Sequence, residues 1–407
     1  MFLPEAIFTL RLLRRKEHPP RNDIKNPMNI LLTGGRAPAA LELARAFHGA
    51  GHTVFMAESL RGHLSQPSAA IKANFVVPAP RQEQDAFIIA LKKIIEQNQI
   101  DLLIPTCEEI FHVAMRRDEL PCKVFTESIQ KLDQVHNKWN FIVNAADYGL
   151  AMPETMLITS LDNLLHAYAH WRELVLKPMY SRFASQTLIL PPLREASSTL
   201  TLHSNAPWVA QGYIRGKEIC TYSICHNGRI TAHTAYPSTF TAGQGATIVF
   251  QHIDHSAIFN WVKTFVAKNN FTGQIAFDFI QNPEGQIFAL ECNPRATSGV
   301  HLLASHPQFV EAFLNPYLNC IFPIDSNSHM LSAAMLIYGL PTALKKNNVR
   351  QWLKTFFASN DVILNYTDPL PFLLQFRSLL AYWKLAREKN ISLIEASTFD
   401  IEWNGER

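Results

Sequence analysis

Several things are scarce or absent in this chain, and each absence narrows the reading. Charge of one sign is lacking: 37 Lys and Arg against 34 Asp and Glu leave a formal net charge of +3. That is too small to argue for nucleic acid or a membrane surface as partner. No apolar run approaches the roughly 20 residues needed to span a bilayer. The six cysteines (Cys107, Cys122, Cys220, Cys225, Cys292, Cys320) contain no C-x-x-C pair and no zinc spacing. A disulfide scaffold is not indicated, and a reducing cytoplasm is the expected location. G-x-G-x-x-G and G-x-S-x-G are both missing, which removes the dinucleotide fingerprint and the nucleophile elbow.

What is present is an ordinary globular composition, 47% hydrophobic and 17% charged over 407 residues, long enough for two to four domains. Residues 1–27 have an apolar front and a basic, Pro-broken back. That is the reverse of a signal peptide, so a short amphipathic or disordered leader is expected there, with a late start at Met28 the alternative. From Met28 the pattern is β-α-β and doubly wound in character: strands at Asn29–Leu32, His52–Ala57, Phe75–Val77 and Asp101–Pro105, with helices near Ala39–Ala50 and Gln84–Gln97. Thr106-Cys107-Glu108-Glu109 reads as a helix cap, with acids near the positive end of the helix. A smaller module follows, with helix Leu161–Arg172 and strands Leu174–Pro178, Thr187–Leu190 and Trp208–Ile214. Glu218–Cys225, Arg229–Tyr236 and Thr247–Ile253 read as further strands, and Ser256–Lys268 as a helix. Beyond them helices are expected at Pro307–Leu314, Leu331–Leu340, Thr342–Phe356 and Leu373–Lys389.

The most informative stretch is Thr272–His301. Two β-rich segments, Ile275–Ile280 and Gln286–Cys292, flank the turn chemistry of Asn282-Pro283-Glu284-Gly285. Centring the hairpin on Glu284–Gly285 sets Asp278 opposite Glu291 and Ala276 opposite Asn293, all on one face. Opposed residues have Cβ atoms roughly 5 Å apart, so two carboxylates there repel and need compensation. A hard divalent cation with oxygen ligands answers that need, and Mg²⁺ usually arrives with phosphates. Arg295 is placed to hold a phosphoryl oxygen. The bland alternative is a strand end with a capped turn.

Lys177 interrupts the apolar run Leu-Val-Leu-Lys-Pro. Lysine is seldom buried unpaired, so it points into an anion site or else snorkels from an edge strand. His166 and His170 have zinc-like helical spacing but no accompanying Glu, and are expected at an exposed or core-edge position. The basic and aromatic helix Gln375–Lys389 is expected to pack against the body of the protein rather than against a lipid surface.

Four separated pieces now fall in order: Lys138 at a helix start, Lys177 on a strand, Gln211 through Glu218, and Asp278 with Glu291-x-Asn293-Pro-Arg295. In this order and spacing they resemble the ATP-grasp superfamily, and most closely carboxylate–amine ligases related to the large subunit of carbamoyl-phosphate synthase. The resemblance covers about Met28 to Leu314. It implies an α/β and α+β chain: a doubly wound, Rossmann-like pre-ATP-grasp domain over 28–127, a two-lobed ATP-grasp domain over 128–322 with its small lobe at about 151–213, and a mostly helical region over 323–407. It implies that Lys138 and Lys177 grip a triphosphate, and that Gln211, Tyr213 and Ile214 present backbone and an apolar wall to adenine. Glu218 would accept the ribose hydroxyls, and Asp278, Glu291 and Asn293 would be the metal ligands. Arg295, with Lys177, would steady the transferred phosphoryl group. The cofactors implied are ATP and Mg²⁺, with Mn²⁺ the alternative.

One departure stands out. The stretch after the second lysine, 179–185, lacks the family's glycines, and Arg182 is the substitute in charge. The Gly243-Gln244-Gly245 loop lies near where relatives close over the nucleotide. The expected reaction is ATP-dependent joining of a small-molecule carboxylate to an amine through an acyl phosphate, in a protein that is a homodimer in many such ligases. The competing expectation is a nucleotide-binding regulator without turnover.

Overall fold

The computed structural model describes residues 26–180, 186–200, 207–243 and 245–405. The leader therefore lies almost wholly outside the described residues, as do Arg182 with most of the 179–185 stretch, and Gln244.

Short runs of β-branched and aromatic residues open the chain as parallel strands: β1 (Asn29–Thr33), β2 (Thr53–Glu58), β3 (Ala73–Val76), β4 (Leu102–Ile104) and β5 (Lys123–Val124), in the order β3-β2-β1-β4-β5. The central strand has neighbours on both sides, and its Ile30, Leu31 and Leu32 are fully buried, as a parallel sheet covered on both faces requires. The helices that cross between strands, Pro38–Gly49 and Gln84–Gln97, turn Leu43 and Phe47, and Phe87, Leu91 and Ile95, onto that sheet. Order and direction match the doubly wound expectation.

A second sheet is antiparallel: β6 (Thr155–Ile158), β7 (Leu174–Pro178), β8 (Leu188–Ile189) and β9 (Trp208–Gly212), in the order β6-β9-β7-β8. Leu174, Leu176, Trp208 and Ala210 face helix Leu161–His170 and form a small core with Leu164 and Ala167. Strand alternation then sends Val175, Lys177, Val209 and Gln211 to the opposite face. Because β7 lies between β9 and β8, Lys177 is no edge-strand residue. Both His166 and His170 are exposed, as expected.

The third sheet joins β10 (Lys217–His226) and β11 (Arg229–Pro237) to the central hairpin. Between them the expected strand Thr247–Ile253 is instead two pieces. β12 (Thr241–Ala242) pairs with β13 (Ala246–Thr247), and β14 (Val249–Phe250) joins a separate sheet. The hairpin itself is β15 (Gly273–Gln281) and β16 (Ile287–Asn293), and the sheet order is β11-β10-β15-β16. One face carries Ile219, Phe277, Phe279 and Cys292 and is sealed by Phe141, Trp261 and Phe265 from helices Lys138–Asp147 and Ser256–Lys268. Edge-to-face contacts at about 5 Å bind Trp261 to Phe277 and Phe279. The other face carries Tyr222 and Ile224 into an apolar cluster shared with the first sheet at one end, and Glu218, Cys220 and Asp278 at the other.

The expected helix Pro307–Leu314 is reduced to Glu311–Leu314. The region 323–407 is less uniformly helical than expected: β17 (His329–Met330) bridges β14 and β18 (Asn360–Asp361). The single helix expected over Thr342–Phe356 is broken, because Asn347 adopts a left-handed φ of 55° between helices Leu340–Lys345 and Val349–Ala358. Helix Leu370–Lys389 does pack on the body of the protein, through Pro371 and Phe372 at its start and through small and polar residues beyond them. Gln375, Ser378 and Ala386 are buried while Leu373, Phe376 and Leu380 are exposed, and Ser378 Oγ donates to the Gly62 carbonyl at 2.9 Å. The chain then runs back across the first sheet toward the third.

Gly299 sits where β10 and β11 leave no room. A Cβ there would lie 2.3 Å from Tyr222 Cβ and 3.0 Å from Thr234 Cγ2. Gly299→Ala is expected to cost about 1–3 kcal/mol through overpacking. Urea denaturation measures this, and an unchanged midpoint would contradict the close packing.

Candidate active site

The hairpin turn closes on Asn282, whose N–H bonds Gln286 O at 3.0 Å, with Gly285 at φ 83°. This is a three-residue connection, so the pairs nearest the turn are Gln281 with Ile287, Ile280 with Phe288 and Phe279 with Ala289. That is one residue off the register expected from a turn centred on Glu284–Gly285. A bulge at Leu290 inserts the missing residue, and beyond it Asp278 pairs with Glu291 and Ala276 with Asn293. The expected pairing is therefore present, delivered by a turn and a bulge together.

The row extends across the whole sheet. Asp278 pairs with Cys220, and Cys220 with Tyr236, so Tyr236, Cys220, Asp278 and Glu291 form one line on the face opposite the aromatic core. Burial and the neighbouring Glu291 push the Asp278 carboxyl well above the usual range, and Asp278 shares a hydrogen bond with Glu291. Glu291 moves the other way: burial opposes its charge, but Lys138 and Lys177 hold it low. Lys138 begins its helix behind an Asn137 cap, and its Nζ is 3.7 Å from Glu291 Oε2. Lys177 arrives from the second sheet. Burial draws its ammonium down to about 8, against the pull of Glu291, with Lys138 adding to the lowering. Glu218, two residues before Cys220 on the same strand face, is raised by burial against the pull of Lys177.

Asn293 donates from Nδ2 to Asp278 Oδ2 at 3.3 Å and to Glu291 Oε1 at 3.5 Å. Its Oδ1 accepts from Arg295 Nη2 at 3.1 Å. The amide nitrogen, not the oxygen expected of a metal ligand, thus faces the carboxylates, and a half-turn of the amide is needed to exchange them. Gln211 is buried in β9, and its side chain bonds Thr155 Oγ1 at 3.1 Å. Tyr213 gives its N–H to Glu173 O at 3.0 Å, and its ring lies under Arg215. Ile214 is half-buried beside it.

The expected side-chain cap does not form: helix Glu109–Met115 has Glu108 at its N-cap position with no side-chain capping bond, and Glu109 Oε1 instead accepts from Thr106 N and Cys107 N at 3.0 and 2.9 Å, ahead of the helix. Glu108 turns elsewhere. Its Oε1 is 3.8 Å from Arg295 Nε, and its Oε2 accepts from Trp403 N at 3.4 Å. Sequence reasoning missed Cys220 and Tyr236 as well as Trp403. Cys220 was reachable by strand alternation from Glu218. Tyr236 was not, because a second bulge near Ile224 and Cys225 shifts that hairpin by one residue.

Among the described residues no three His, Cys, Asp or Glu side chains cluster as a metal site. The donor set is two opposed carboxylates with an amide alongside. Oxygen donors of this kind fit a hard divalent cation that takes its remaining ligands from phosphate and water. The raised Asp278 is the sign that compensating charge is needed.

Neither a family model nor a curated protein matches the sequence. Solved structures do. N5-carboxyaminoimidazole synthetase from Staphylococcus aureus, complexed with ADP, aligns at TM-score 0.62 and 13% identity, over 79% of this chain and 86% of that one. The chain has the ATP-grasp fold. L-amino acid ligase from Bacillus licheniformis aligns at 0.59 and 14% identity, over 72% and 77% of the two chains. The biotin carboxylase domain of Hydrogenobacter thermophilus 2-oxoglutarate carboxylase, a dimer holding MgADP and bicarbonate, aligns at 0.57 and 11%, over 67% and 65%. Within this fold Lys177 of the second sheet and the Asp278–Glu291 pair of the third act on one another electrostatically.

A carboxyl held above its ordinary value keeps its proton in the folded chain at pH values where the unfolded chain has lost it. Stability then falls as pH rises from near 4 toward the raised value. Asp278→Asn removes that slope. The metal-free variant is expected to gain on the order of 1 kcal/mol at pH 8, a difference that shrinks toward pH 5. Calorimetric melting at the two pH values checks this, and a variant that melts lower than the parent at pH 8 would refute it.

Proposed function

We propose that this protein is an ATP-dependent ligase that joins a small-molecule carboxylate to an amine. The observation that carries the reading is the convergence of Lys138 and Lys177 on the opposed Asp278–Glu291 pair. A carboxylate oxygen of the substrate attacks the γ-phosphorus of ATP, and the bond to the bridging oxygen of ADP breaks. The amine then attacks the acyl carbon and expels phosphate. Such phosphoryl transfer asks the protein for positioning and charge neutralisation rather than a nucleophile, which agrees with a site made of cations and carboxylates.

In this reading Lys138 and Lys177 hold the triphosphate. Gln211, Tyr213 and Ile214 line the adenine, with the Tyr213 N–H already used by Glu173, so the carbonyls and Ile214 are the contacts offered. Glu218 takes the ribose hydroxyls and Arg295 the transferred phosphoryl group. Asp278, Glu291 and a turned Asn293 hold Mg²⁺, or Mn²⁺ in its place. The metal, when bound, supplies charge neutralisation at the phosphate oxygens. The S. aureus structure with ADP and the H. thermophilus structure with MgADP support these cofactors. The domain division that follows is 28–127, 128–322 and 323–407, and a homodimer is the assembly we assign.

The test is carboxylate-dependent ADP release over a panel of acids and amines. Asp278→Asn combined with Glu291→Gln is expected to lower it by about 10²-fold or more; turnover that persists would remove the metal assignment. The glycine-poor stretch 179–185 favours a second reading, a nucleotide-binding regulator. Calorimetric binding of Mg-ATP without substrate-stimulated ADP release would select it.

A further inference from the structure

The segment 397–405 belongs to no part of the reading above, yet it touches both ends of the candidate site. Asp400 anchors it. Arg36, buried beyond the end of β1, grips the Asp400 carboxylate with Nη1 at 2.6 Å and Nη2 at 2.8 Å, and is held in turn by Glu58. Arg36 Nη1 also donates to the Ser397 carbonyl at 3.1 Å, and Arg81 N to the Asp400 carbonyl at 3.0 Å. A bidentate arginine–carboxylate pair fixes orientation as well as position. Three residues on, Trp403 is buried at 4% exposure and stacked on Phe111 at 5.7 Å with planes 11° apart.

From Trp403 two chains of contacts leave in different directions. Its backbone N–H donates to Glu108 Oε2, and Glu108 Oε1 faces Arg295 Nε. Its indole Nε1 donates to Asp133 Oδ1 at 3.4 Å, the same oxygen that accepts from the Tyr180 hydroxyl at 2.7 Å. Asn137 Nδ2 donates to that hydroxyl at 3.0 Å, and Asn137 Oδ1 caps the helix that begins with Lys138. Lys138 N in turn meets the Met179 carbonyl at 3.4 Å. Gly405 lies against the Tyr180 ring; a Cβ there would come within 2.5 Å of it.

We infer that Trp403 is a positioning residue of the active site: through Glu108 it orients Arg295, and through Asp133 and Tyr180 it orients the start of the Lys138 helix. The inference rests on the ligase reading for its kinetic consequence but not for its structural one. Both cations are long and flexible, and a group that handles phosphate must be held by partners that are themselves locked. Displacement of about 1 Å at such a group can cost about 10²-fold in rate.

The experiment compares the full-length chain with Trp403→Ala and Trp403→Phe. Phenylalanine keeps the stack on Phe111 and the backbone N–H to Glu108 but loses the indole donor to Asp133. Hydrogen exchange read by mass spectrometry is the primary measurement, because it needs no turnover. Trp403→Ala is expected to speed exchange in peptides covering 137–141 and 293–297 while leaving β1 and β2 at parental rates. Trp403→Phe is expected to change only the first of these. With active enzyme, Trp403→Ala should lower kcat for ADP release by about 10²-fold with KM for Mg-ATP within about threefold, and Trp403→Phe should recover part of kcat. Localised exchange in a chain that proves inactive supports the positioning role and removes the ligase reading. Parental exchange at both peptides, or exchange accelerated evenly through the fold, overturns the inference whatever the activity.

Discussion

Everything in the third sheet is arranged around two carboxylates that face each other across a hairpin. Two full charges even 5 Å apart at an effective dielectric near 20 would repel by about 3 kcal/mol. The fold meets this in two ways. Asp278 stays on the protonated side, with burial and Glu291 both favouring the neutral form. Glu291 keeps its charge because Lys138 and Lys177 are brought to it from a helix and from another sheet. The aromatic layer of Phe141, Trp261, Phe265, Phe277 and Phe279 behind the strands makes this affordable, since it fixes which face each residue of β15 and β16 must take. A one-residue slip would carry Asp278 into that aromatic core.

The same constraint explains what could be read beforehand. Alternation and turn chemistry are local, so most of the longer strands, the helices Gln84–Gln97 and Ser256–Lys268, and the single face of Asp278, Glu291 and Asn293 were legible from spacing alone, while the break within Thr247–Ile253 and the two-residue strands were not. Bulges are where local reading fails. In the Asp278 hairpin a half-residue error in the turn centre and the bulge at Leu290 cancel, and the pairing comes out as expected. In the β10–β11 hairpin the Asn227-Gly228 turn is conventional, with both residues at positive φ, but its bulge is uncompensated. Counting from that turn places Ala235, not Tyr236, beside Cys220.

Less legible still were contacts made by residues far apart in the chain. Nothing in Thr106-Cys107-Glu108-Glu109 shows beforehand that one glutamate turns back onto the backbone of the loop before the helix while its neighbour meets an arginine. The orientation of Asn293 depends on Arg295 at one end and two carboxylates at the other. In helix Leu370–Lys389 most of the large apolar residues, Leu373, Phe376, Leu379 and Leu380 among them, are exposed, while Pro371, Gln375, Ser378 and Ala386 are buried and Ser378 bonds the Gly62 carbonyl, so apolar periodicity alone does not give the packed face.

The cations of the site share a design that follows from their length. Each is an extended side chain whose freedom would otherwise scatter its charge, and each is limited by a partner from another part of the chain. Lys177 is held by burial in an interior strand of the second sheet. Lys138 stands at the first position of a capped helix that leans on Met179 and Glu291. Arg295 lies between Asn293 and Glu108. Glu108 stands just beyond β4 of the first sheet, at the start of helix Glu109–Met115, and is itself bonded by Trp403, near the far end of the sequence. The charge arrangement that balances Asp278 and Glu291 therefore exists only when all three sheets and the segment 397–405 are docked together, which ties completion of the site to completion of the fold.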